Sequence, residues 1–122
     1  MLWFSAHIVM RVLYKEDPQN HCPAIENICL ISAHTDEDAQ NKAEAIGRTL
    51  EGDSDGSFTW CERPAEWKFV GVRKLIEVRN STSSNNSIDD GTEVTYSIYD
   101  FRNTDQLLKF MVGEEVFAKI IE

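Results

Sequence analysis

Ser5 and His7 stand two residues apart in the opening run MLWFSAHIVMRVLY. In an extended chain that spacing puts a hydroxyl and an imidazole on one face, the pairing that acid–base chemistry uses. Glu77 and Tyr99 are the carboxylate and phenol that could join them if the long strands carrying them are neighbours. None of the sequence patterns of a built nucleophile accompanies these four: the chain has no GxSxG elbow, no HExxH and no glycine loop to cradle phosphate. A strand histidine is more often a hydrogen-bonded neighbour of other polar side chains than a base. The expectation is therefore no catalytic site, with a small enzyme using an open-sheet cleft around His7 as the alternative.

The stretch EGDSDGSFTWCE, residues 51–62, is the other concentration of chemistry. Glu51, Asp53 and Asp55 fall at the first, third and fifth positions of a calcium loop, Gly56 at its turn, Phe58 at its apolar position and Glu62 at the closing bidentate position. Glu51 is longer than the aspartate that suits so tight a loop, and Pro64 breaks the helix that should follow. A polar turn between helix and strand is the expectation, and a calcium loop a second alternative. His21, Cys22, Cys29 and Cys61 are zinc-ligand types, but no second ligand pair stands at zinc spacing. Three buried thiols and a surface histidine are expected instead, and no cofactor.

The elements that must position these residues follow from periodicity. Residues 1–14 are too short to span a bilayer, which takes about 20 apolar residues, and no basic residue precedes them as in an export signal. Their period of two reads as a first strand, with Phe4, Ala6, Ile8, Met10 and Val12 on the core side. A second strand is predicted over 24–33. Thr35 then caps an amphipathic helix over 36–50, with Ala39, Ala43, Ile46 and Leu50 on one face. Strand signals follow at 57–62, 67–79 and 92–101, and a second helix starts at Asn103 or Thr104 and carries Leu107, Leu108, Met111 and Val112. Residues 116–121 are either a helical turn or an edge strand. The segment 80–91 is polar and rich in Ser and Asn, and is expected to be a mobile hairpin loop. Strands and helices do not alternate, so the 122 residues are read as one α+β domain. It has a mainly antiparallel sheet of about five strands, in the order β-β-α-β-β-β-α, with both helices on one face.

Trp3-Phe4-Ser5-Ala6-His7, Glu26-Asn27-Ile28 with Leu30-Ile31-Ser32-Ala33, Asp38-Ala39 with Lys42-Ala43, and Gly91-Thr92-Glu93-Val94-Thr95-Tyr96 recur in that order along the chain. Over most of its length it resembles, through them, a family of small stand-alone bacterial proteins known only as a domain of unknown function. The resemblance implies an α+β fold and a bacterial cytosolic setting, and brings no catalytic residue.

A net charge of −9, from 12 Lys and Arg against 21 Asp and Glu, opposes binding to nucleic acid or to anionic membranes. The cluster Arg63, Lys68, Arg73, Lys74 and Arg79 is read as the solvated side of a strand. Three cysteines without a disulfide pattern indicate a reducing cytoplasm. Each long strand has a second row that is only half polar. Trp3, His7, Arg11, Trp67, Phe69, Arg73 and Tyr99 are therefore expected on a sheet face away from both helices, as an interface. The functional expectation is a cytosolic protein-interaction module. It either self-associates through that face as a homo-oligomer or covers a basic protein partner in the manner of an immunity or inhibitor protein.

Overall fold

The structure is a computed structural model that describes residues 1–79 and 87–121. The opening run forms the central strand, β1 (Leu2–Tyr14), flanked on one side by β2 (Ala24–Ala33) and on the other by β4 (Arg63–Val78), with β3 (Thr59–Trp60) beyond β4. All pairings in this four-stranded sheet are antiparallel. Helix α1 (Asp36–Thr49) joins β2 to β3 and packs on one face. Phe4, Ala6, Ile8, Met10 and Val12 of β1 are all essentially excluded from solvent; Ala39 and Ala43 of α1 are too, their small side chains letting helix and sheet approach closely. Each of the larger β1 side chains contributes about 1.5–3 kcal/mol through that burial. The Thr35 hydroxyl accepts a 3.1 Å bond from the Asp38 amide and fixes the start of α1.

β4 departs from simple alternation in two places. The β1 pairing steps from Lys74 to Val72 between His7 and Ile8, and from Gly71 to Phe69 between Val9 and Met10, so Arg73 and Val70 are each the extra residue of a bulge. Every bulge exchanges which row of β4 faces α1: Trp67 and Phe69 lie opposite the core residues Val12 and Met10, then Val72 opposite Ile8, then Leu75 opposite Ala6. Trp67 and Phe69 therefore sit on the helix side, not on the interface face expected of them. Phe69 lies directly beneath Gly47, with the Arg48 guanidinium 5.7 Å from its ring centre. Trp67 stacks on Phe58 and meets Trp60 edge-on.

The expected class and element order are present. The strands are divided between two sheets, because β5 (Ile98–Phe101) and β6 (Ala118–Ile121) form a separate antiparallel pair. Helix α2 (Thr104–Met111), capped by Asn103, packs on β5 rather than beside α1. The strand expected over 57–62 is reduced to Thr59–Trp60, and that over 92–101 to Ile98–Phe101; Pro64 is accommodated in β4, where it pairs with the edge strand β3. Of the polar segment 80–91, residues 80–86 lie outside the described residues, and Asp89–Thr92 form a turn closed by a 3.1 Å bond from the Thr92 amide to the Asp89 carbonyl.

Candidate functional site

The sheet face opposite α1 is crossed by residues 92–97, a strap held by side chains that rise from the sheet. The Ser5 hydroxyl donates to the Val94 carbonyl, His7 Nε2 lies 2.5 Å from the Thr95 hydroxyl, and Lys74 Nζ donates to the Tyr96 carbonyl with its charge 4.1 Å above the Tyr96 ring. Three successive strap residues are thus gripped by three sheet residues. Ser5 and His7 are completely covered as a result. A buried polar side chain needs partners. His7 has two, because its Nδ1 stands 3.2 Å from Glu26 Oε1 on β2. The carboxylate can only accept, so Nδ1 donates to it; in the neutral ring Nε2 then accepts from the Thr95 hydroxyl. The bulge residue Arg73 donates to the same Glu26 oxygen from β4.

This carboxylate–imidazole–hydroxyl chain resembles a nucleophile relay in its order of groups. Here the hydroxyl belongs to the strap and its two neighbours are tied down by their carbonyls, so the chain works as a clamp. The four residues suggested for acid–base chemistry are not assembled. Ser5 and His7 share the strap side, Glu77 is paired opposite Phe4 in the helix-side row and bonds to Arg79, and Tyr99 lies in β5 between Phe101 and Phe110. Glu26 and Thr95, the true partners of His7, stand within the segments that carry the family resemblance, but nothing in their local spacing links them to His7, since each comes from a different element.

Partial burial pushes the Glu26 carboxyl up, but the hydrogen bond and charge of Arg73, and after them those of His7, outweigh it and hold the group below the ordinary value of 4.5. A carboxyl more acidic in the folded chain contributes stability that is complete above the ordinary value and fades as pH falls through the folded one. The gap in urea midpoint between wild type and Glu26→Gln is therefore expected to be widest near neutral pH and to narrow progressively below 4.5. A gap of the same size in strong acid would mean that the carboxylate charge contributes nothing.

Two of the four calcium-loop carboxylates, Glu51 and Asp53, are engaged in other bonds. Glu51 accepts from the Phe69 amide at 2.9 Å, and Asp53 accepts from Lys15 and from the Gly56 amide, bonds that hold its carboxyl below the usual aspartate range. Asp55 and Glu62 have positive φ values of 58° and 65° in successive turns. Among the described residues no group of three or more His, Cys, Asp or Glu side chains gathers as a metal site would require. Cys22 and Cys61 are exposed and Cys29 is partly buried, so the expectation of three buried thiols fails at two positions. His21 stacks on Tyr14 and accepts or donates at 2.8 Å to its hydroxyl, beside an open groove of about 620 Å³ along which Arg11 also lies. The basic cluster is consumed internally: Arg63 donates to the Glu16 and Pro18 carbonyls, Lys68 pairs with Glu66, Arg73 with Glu26, Lys74 with the strap and Arg79 with Glu77. No helix among the described residues is long and apolar enough to cross a membrane.

Residues 3–97 match the family model of a domain of unknown function, DUF4288. The chain belongs to this family. No curated protein and no solved structure is detectably similar to it. The DUF4288 segment takes in the four-stranded sheet, α1 and the strap, and it stops one residue before β5. What lies beyond it is an arm, β5–α2–β6. Tyr99, Phe101 and Phe110 form a small ring cluster in the arm, with centroids 5.1–5.9 Å apart, yet no residue of α2 is buried. Leu107, Leu108, Met111 and Val112, legible in the sequence as an apolar stripe, are all exposed.

On the DUF4288 sheet itself, Trp3 is 38% exposed on the strap side, and Ile28 and Leu30 of the edge strand β2 are 50% and 45% exposed where they pair with His7 and Ser5. Of the expected interface residues, Trp3, His7, Arg11 and the bulged Arg73 belong to this side of the sheet or its network, Trp67 and Phe69 to the helix side, and Tyr99 to the arm.

Proposed function

We propose that the protein is a protein-interaction module that meets its partner through the β5–α2–β6 arm. One observation carries this reading: ten large apolar side chains between Ile98 and Ile121 are each at least 40% exposed. A two-stranded sheet is marginal in water by itself, and a helix of eight residues falls short of the roughly 12–15 at which isolated helices begin to hold. Covering each such side chain contributes about 1.5–3 kcal/mol, so a partner that covers several of them gains a large hydrophobic driving force. The setting that fits is a bacterial cytoplasm, where the exposed Cys22 and Cys61 stay reduced.

The test is recovery of bound protein by the full chain from the cells that make it, beside the double variant Leu108→Asp/Met111→Asp. Arm-dependent loss of the bound protein, with an unchanged urea melt of the sheet, is the expected result. Unaltered binding by the variant would overturn the reading. So would unfolding of the sheet by these two substitutions, because the arm would then be part of the core.

A further inference from the structure

Resting on that reading, we infer that the arm's partner is a second copy of this chain, each arm lying along the β2 edge of the other copy. The first ground is charge. The chain as a whole carries −9, but between Ile98 and Ile121 four acidic side chains face three basic ones, a net of −1. A surface that covers a basic partner is acidic; a near-neutral apolar arm instead lets two strongly acidic bodies join without pressing like charges together. The second ground is direction. The strap is held at Val94 and Thr95 by β1 and at Tyr96 by β4, so its last grip before the arm is on the β4 side of β1, not on β2. Among the described residues no strand pairs with the outer edge of β2, which presents Ile28 and Leu30 beside Trp3, the combination that invites another chain to add. The third ground is area. Ten side chains exposed to that degree offer on the order of 1,000 Å² per arm, and reciprocal docking of two arms exceeds the roughly 1,600 Å² of total buried surface typical of a stable complex.

The experiment measures mass in solution by light scattering on three full-length proteins, each also melted in urea. Wild type should have twice the 13.9 kDa of one chain. The arm variant Leu108→Glu/Met111→Glu and the edge variant Ile28→Lys/Leu30→Glu should each be monomeric, with the sheet still folded. Mixed together they should recover a species of two chains, because the arm variant keeps an intact edge and the edge variant an intact arm, so one of the two contacts re-forms. A wild-type dimer that survives the edge substitutions, or two monomeric variants that fail to complement, overturns the inference. A wild type that stays monomeric over a hundredfold range of concentration also overturns it; if its arm variant melts like wild type, the arm remains open to a different protein and the broader reading stands. If the arm variant unfolds, both fall.

Discussion

Gly47→Ala is expected to destabilise the fold by about 1–3 kcal/mol, the usual range for an overpacked contact, although alanine is the better helix former by about 1 kcal/mol. A Cβ at this position would lie 2.3 Å and 2.4 Å from two carbons of the Phe69 ring. That ring packs against the buried cluster around Met10 on β1, so it cannot move aside without disturbing the core. Shortening the ring should make room. The double variant Gly47→Ala/Phe69→Leu is expected to lose less stability than the two single changes added together, with a coupling within the 0.5–3 kcal/mol seen for touching residues. Urea melts of the four proteins give the cycle. A Gly47→Ala protein more stable than wild type would mean that helix and strand are not in contact here. Phe69→Ala should cost about 3 kcal/mol of folding and leave association intact, the reverse of what an interface aromatic would do.

His7→Ala is expected to cost about 2–4 kcal/mol, combining a lost charge-assisted bond, a hydroxyl left without its partner and a buried cavity. Its distinguishing effect is on the strap. With Thr95 released, the grips from the sheet that remain on residues 92–97, among the described residues, are those of Ser5 and Lys74, and proteolytic cleavage in this segment should accelerate well before the sheet unfolds. Thr95→Val removes the hydroxyl and keeps the shape, so it should produce a milder form of the same effect, about 1 kcal/mol. Cleavage in the strap no faster in His7→Ala than in wild type would show that His7 is merely buried there and that something else holds the strap.

Both predictions rest on contacts that the sequence conceals for a definite reason. Alternation in β4 is interrupted at Val70 and Arg73, and a single extra residue turns every later side chain to the other face. Read with an unbroken period of two, Phe69 and Arg73 share a row with Trp67; in the structure Phe69 lies under α1 and Arg73 reaches Glu26. The mixed character of the β4 rows was the visible trace of the bulges, and it was equally compatible with a two-sided interface.

What the sequence determined by itself was whatever depends on neighbours along the chain. The β1 core row has its unbroken period of two, α1 has its Thr35 cap and its alanine face, and the helix capped by Asn103 has its apolar stripe; all three occur as read. The element order and the α+β class follow from these. Only the tertiary structure decided that residues 92–97 cross the sheet as a strap instead of joining it, and that His7 is closed between Glu26 and Thr95. It alone decided that β5, α2 and β6 stand apart as an arm with their apolar side chains uncovered. These are pairings between residues up to 89 positions apart. Period and propensity record which side of an element is apolar, whereas the surface that side is laid against is fixed by competition among all elements for the same sheet faces and edges.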